Sequence, residues 1–192
     1  MRILSMLLTM SPVILGAAAV VVFSRTAFFR KHKAPIDGGK SFRGERIFGD
    51  HKTWIGLLSY VLFCTLAHLL TGGVCRLFGL EKMNQMYSLH ANGFFYNLLA
   101  GALFGLAYAL FELPNSFLKR RFHIAPGGHR KGFSGVFFFI LDQIDSLLGC
   151  ALVIGLLTDA TLLALLQYVL LGAFVHVFVN LLLMLLHMRK SI

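Results

Sequence analysis

Apolar residues along the chain fall into five long blocks separated by polar segments rich in glycine and cations. The first block, residues 3–23, is broken only by small hydroxyl residues and Pro12. At about 1.5 Å per helical residue it is long enough to cross a hydrocarbon core of about 30 Å. Arg2 and the small residues Gly16 to Ala19 resemble parts of a cleavable signal. The apolar run nevertheless continues through Val20–Phe23 into a basic segment, the order expected of a stop-transfer helix. Blocks at 53–71, 92–113, 133–157 and 161–188 predict four further spans. Gly101 and Gly105 in the third span have the small-xxx-small spacing that lets helices approach closely.

The intervening segments predict the rest of the architecture. Residues 24–52 read as a polar loop, and 72–91 as a connector with an interfacial segment. Pro114 is expected to end or kink the third helix, leaving 115–132 as a second basic loop. A Thr158-Asp159-Ala160 turn joins the last two spans. The expectation is an all-α, polytopic membrane protein, one membrane-embedded domain over 1–192, with basic loops facing the cytoplasm.

Composition agrees: 57% of the residues are hydrophobic and 14% charged, against about 25% charged in an ordinary soluble domain. The net charge of +10 is unevenly placed, because segments 24–52, 114–132 and 189–192 hold 8, 5 and 2 of the 18 Lys and Arg residues. Cations are retained on the cytoplasmic side, so this bias predicts an external amino terminus and explains the charge without nucleic acid. Cys64, Cys75 and Cys150 are far apart and lack metal-ligand spacing, and no GxSxG or HExxH motif is present.

Three constellations carry candidate chemistry. Asp142-Gln143-Ile144-Asp145 places two carboxylates at i and i+3, on one face of a helix, inside an apolar segment. Acids at that depth are costly unless paired or bound to a cation, and Mg²⁺ prefers such oxygen ligands. From these residues alone, an ion-coupled transporter using intramembrane carboxylates, or a structural salt bridge, stays open. Glu112-Leu113-Pro114-Asn115-Ser116-Phe117-Leu118-Lys119-Arg120-Arg121 joins a helix end to a basic cluster suited to phosphate oxygens, or to anchoring the helix. Residues 37–56 interleave Asp37, Lys40, Arg46, Asp50, Lys52 and Thr53 with five glycines at 38, 39, 44, 49 and 56, without the upstream glycine spacing of a Walker loop.

In order and content these three motifs resemble the CDP-archaeol synthase family, a relative of the phosphatidate cytidylyltransferases. Gln143 stands where the latter's signature has Arg between its aspartates, which favours the archaeol-type branch. The resemblance implies transfer of CMP from CTP to a membrane lipid phosphate, with Mg²⁺ as cofactor, giving a CDP-activated lipid, of CDP-archaeol or CDP-diacylglycerol type, and pyrophosphate. It implies metal binding by Asp142 and Asp145, with Lys119 beside them in catalysis. Asn115, Ser116 and Arg120 would contact nucleotide or phosphate, and Asp37, Lys40, Arg46, Asp50, Lys52 and Thr53 would complete the pocket. The implied partners are CTP, the lipid phosphate and the bilayer; a homo-oligomer is left open.

Overall fold

A computed structural model describes residues 3–126, 128 and 132–185. Arg2, Arg130, Lys131, Arg189, Lys190 and the expected helix end at Met188 lie outside the described residues. The elements run α1 (Ile3–Phe23), α2 (Ala27–Lys31), a two-stranded hairpin of β1 (Ser41–Phe42) and β2 (Glu45–Arg46), α3 (Trp54–Leu77), two 3-10 turns (Glu81–Met83 and Gln85–Tyr87), α4 (Phe94–Arg121), α5 (Phe133–Leu157) and α6 (Leu162–Leu185). Five of these helices are long and apolar enough to span a membrane, and the protein is a polytopic all-α membrane protein.

The principal packing pairs are α3 with α4, α1 with α3, α4 with α5, and α5 with α6. Leu, Phe and Val side chains cover the outside of the bundle, while its interior is tight and partly polar, with Phe104, Met86, Ile154 and Tyr168 fully buried beside Thr9, His68 and Ser146. Close approach of α3 and α4 depends on Gly105: a Cβ there would lie 2.3 Å from the Tyr60 carbonyl oxygen and 2.5 Å from the Val61 Cα. One helix turn away Gly101 meets the Thr65 Cα in the same way, so the small-xxx-small spacing is a packing seam.

Two expected helix ends are corrected. Pro114 does not end the third span, because α4 continues through it to Arg121. A proline inside a spanning helix removes one backbone donor, and surrounding helices tolerate the loss. Asn115 to Arg121 are therefore helical rather than loop, and at about 1.5 Å per residue the 28-residue α4 is about 42 Å long, longer than the hydrocarbon core. Second, α3 extends to Leu77, past the predicted end near Thr71.

The segment 24–52 is a compact structure rather than a plain loop. Thr26 caps α2 by accepting from the Phe29 N–H at 3.2 Å, and Phe29 is buried, edge-on to Phe23. The hairpin turns through Arg43 and Gly44, both at positive φ (52° and 82°), the backbone twist that suits a two-residue connection. Residues 34–36 then run beside 52–54: the Ile36 N–H donates to the Lys52 carbonyl at 2.8 Å and the Trp54 N–H to the Ala34 carbonyl at 3.0 Å.

Candidate functional site

Helices α4 and α5 place four of the expected residues together. Asn115 and Lys119 are one turn apart on α4, and Asp142 and Asp145 nearly one turn apart on α5. The Asn115 Nδ2 donates to Asp142 Oδ1 and to Asp145 Oδ2, each at 2.7 Å. The Lys119 ammonium donates to both oxygens of Asp142 at 2.6 and 2.5 Å. Asp145 also accepts from the Ser146 N–H at 2.7 Å. One carboxylate thus carries a cation, while the other is buried and held by neutral donors.

These contacts explain how two acids persist inside the bundle. Burying a carboxylate is costly without hydrogen bonds or a counter-charge, and each acid here has at least one. Asn115 is buried, and its Oδ1 has no partner among the described residues. Beside the Lys119 ammonium, the site offers the oxygens of two carboxylates and the unpartnered Asn115 Oδ1, the ligand chemistry a hard divalent cation takes. Among the described residues no group of three or more His, Cys, Asp or Glu is placed to hold a metal ion. A cation here would have two carboxylates and would need further oxygen from water or phosphate, the usual situation for Mg²⁺.

Arg120 follows Lys119 on α4 and meets the glycine-rich segment. It is 6% exposed, and its Nε and Nη1 are buried without a hydrogen-bond partner among the described residues. Its side chain lies against Gly49 in the glycine-rich segment, where a Cβ would come 3.5 Å from the Nη1. A buried guanidinium with orphan donors is suited to an anion. The same surroundings act on His51: partial burial, and then the cations Lys33, Arg120 and Lys52, hold its imidazole below the ordinary value. Positive potential therefore gathers where the segment meets the end of α4.

Other expected residues hold the segment together. Asp37 accepts from the N–H groups of Gly39, Phe48 and Gly49 at 2.9–3.0 Å and from the Arg46 Nη2 at 2.6 Å. Burial alone would raise this carboxyl, but Arg46 and the three N–H donors together hold it well below the usual carboxylate range. Arg46 also reaches the exposed Asp50 at 2.7 Å. Thr53 caps α3 by accepting from the Gly56 N–H at 3.2 Å. Lys40 is exposed, while Ser116 is half-buried beside Asn115 on α4.

Two residues of the Glu112–Arg121 motif take roles that the sequence did not assign to them. Glu112 forms an ion pair with Lys52, 60 residues away, just below the Asn115 turn. Its place three residues before Asn115 was the available signal, because i and i+3 share a helix face. Arg121 donates to the carbonyls of Phe42, Glu45 and Arg46 and stacks over the Phe117 ring at 4.9 Å, pinning the hairpin to α4. Nothing in its own segment distinguishes it from Lys119 or Arg120.

Known proteins resemble this chain in sequence and in fold. A CDP-archaeol synthase of Archaeoglobus fulgidus is 38% identical over 126 residues, covering 64% of this chain and 61% of that protein. One from Methanoculleus marisnigri is 35% identical over 121 residues, 62% of each chain, and one from Thermofilum pendens is 31% identical over 147 residues, 76% of this chain and 58% of that one. The match thus spans about three fifths of the length of these curated relatives. A solved structure of an intramembrane enzyme for archaeal membrane lipid biosynthesis superimposes with a TM-score of 0.64 over 94% of this chain and 95% of that one. Its identity of 22% makes this a likeness of fold. The family model for CarS-like CDP-archaeol synthase matches residues 3–192, and the chain belongs to that family.

Proposed function

We propose that this protein transfers a cytidylyl group from CTP to the phosphate of an archaeal-type ether lipid, forming a CDP-activated lipid and pyrophosphate. The observation that carries the proposal is the Asn115-bridged pair Asp142 and Asp145, with Lys119 on one acid. Family membership supplies the reaction class. The glycine-rich segment, Arg120 and α4 together form a cationic mouth for a triphosphate.

In this reaction a lipid-phosphate oxygen attacks the α-phosphorus of CTP. The new P–O bond forms as the bond from the α-phosphorus to the bridging oxygen breaks, and that electron pair leaves with pyrophosphate. An anionic phosphate is already a nucleophile, so the protein's work is to align two anions and offset their repulsion. Lys119 and Arg120 offset charge on the phosphates, Arg120 through its available Nε and Nη1. Asn115 orients both carboxylates through one amide. Asp142 and Asp145 would hold Mg²⁺, which when bound screens the phosphates and stabilises charge developing on the departing oxygen.

The cation distribution supports an orientation with the segment 24–52 and the end of α4 facing the cytoplasm, the source of CTP, and the amino terminus outside. The reaction therefore takes place at the cytoplasmic surface of the cell membrane.

The test uses purified full-length chain in detergent with Mg²⁺, CTP labelled at the α-phosphorus, and either unsaturated archaeal ether-lipid phosphate or phosphatidate. Label entering the ether lipid, with stoichiometric pyrophosphate, is the expected result. Label entering phosphatidate alone would overturn the lipid assignment, and uptake of an ion without CTP consumption would overturn the transferase reading.

A further inference from the structure

The glycine-rich segment enters α3 through two residues with different tasks. Thr53 caps the helix, and Lys52 just before it is fixed by its backbone: its N–H donates to the Gly49 carbonyl at 3.3 Å and its carbonyl accepts from the Ile36 N–H at 2.8 Å. The Lys52 side chain crosses to α4 and pairs with Glu112, the two side chains being 24% and 20% exposed. Glu112 lies on the α4 face that also carries Asn115 and Lys119. Asp145 lies within electrostatic range of both Glu112 and Lys52.

A carboxylate at this position is a puzzle for a site that receives a triphosphate. By itself it repels the ligand, and Asp142 and Asp145 already supply negative charge. Its presence is explained if it acts on a cation. A lysine is a point charge on a flexible four-carbon stem, and a partner that fixes its direction lowers the ordering required when an anion arrives.

We infer that Glu112 is a positioning residue that holds the Lys52 ammonium at the rim of the carboxylate site, aimed at the phosphates of the incoming nucleotide. This rests on the reading of the site as a receptor for a nucleoside triphosphate. It also makes the pair a tie between the loop and α4, so that loop, cation and carboxylates form one rigid frame.

Removing a negative charge near a triphosphate strengthens binding through the general field. Removing a positioning residue weakens binding, and only while Lys52 is present to be positioned. Double-mutant logic separates these effects.

The experiment measures equilibrium CTP binding with Mg²⁺ and no lipid acceptor, on the full chain in detergent, with a thermal melt for each protein. The set is wild type, E112Q, E112D, K52M and K52M/E112Q. We expect E112Q to weaken binding about tenfold, E112D to recover it to within about threefold, and E112Q in the K52M background to leave it within about twofold or tighten it. Tighter binding by E112Q with Lys52 present, or equal weakening in both backgrounds, would overturn the inference. If E112Q fails to fold, E112D and K52M/E112D carry the comparison: E112D must weaken binding when Lys52 is present and not when it is absent. Wild-type protein that binds no CTP would overturn the triphosphate reading, and this inference with it.

Discussion

Replacing Gly105 by alanine adds a single methyl group where the structure has no room. The new carbon would lie 2.3 Å from the Tyr60 carbonyl oxygen and 2.5 Å from both the Tyr60 carbonyl carbon and the Val61 Cα. Comfortable contact begins near about 3.5 Å, so the shortfall is about 1 Å. All three neighbours are α3 backbone atoms, so no side-chain rotation relieves the clash and the helices must part. Overpacking costs about 1–3 kcal/mol, and alanine's better helix propensity returns up to about 1 kcal/mol. The net expectation is a loss of up to about 2 kcal/mol, or up to about 8 °C in Tm at about 2–4 °C per kcal/mol. Glu112 lies on α4 and Lys52 just before the start of α3, so parting the helices strains that tie and CTP affinity should fall as well. Gly73→Ala is the control, because a Cβ there meets nothing within 4 Å. Thermal unfolding in detergent, read from tryptophan fluorescence, measures both. A G105A protein melting at or above wild type, or a G73A protein falling as far, would refute the packing account.

Further expectations concern the site and the loop. Asn115→Ala removes the amide shared by Asp142 and Asp145 and should lower Mg²⁺ affinity by about 10–100-fold, read by metal titration of turnover and of CTP binding. Asp37 has a folded pKa below its unfolded value of about 3.9, so its stabilisation is present above about pH 4 and lost as pH falls toward the lower, folded value. Melts between about pH 2 and 5, which cover the onset of the loss below about pH 4, should show an acid-induced loss in wild type that is smaller in Asp37→Asn. Arg121→Met frees the hairpin from α4 and should speed limited proteolysis within 38–46, with little change elsewhere. Chelation by EDTA should abolish transfer, and added Mg²⁺ should restore it.

Much of the fold was legible because lipid imposes a simple code: long apolar blocks become helices, and α5 runs from Phe133 to Leu157 as its hydropathy predicts. The errors lay where local rules for soluble helices were applied. Pro114 reads as a breaker, yet α4 carries on through it within the packed bundle. At the site, the spacings Asn115 to Lys119 and Asp142 to Asp145 showed which side chains share a helix face. Their docking across α4 and α5 depends on tertiary packing that spacing does not encode. The same limit hid Glu112, whose partner Lys52 is remote in sequence, and Arg121, whose acceptors are backbone carbonyls. The glycine-rich segment was legible as special but not in its division of labour. Asp37 and Arg46 build the loop, whereas Arg120 keeps orphan donors.

The proposed cytidylyl transfer depends on the Asp142–Asp145 pair on α5 as its catalytic centre. Its most direct test is the initial rate of CDP-lipid formation, measured by mass spectrometry, for wild type and Asp145→Asn at saturating CTP and ether-lipid phosphate. The account predicts that D145N melts within about 3 °C of wild type and loses at least about a thousandfold in rate. A folded D145N enzyme within about tenfold of the wild-type rate would contradict it.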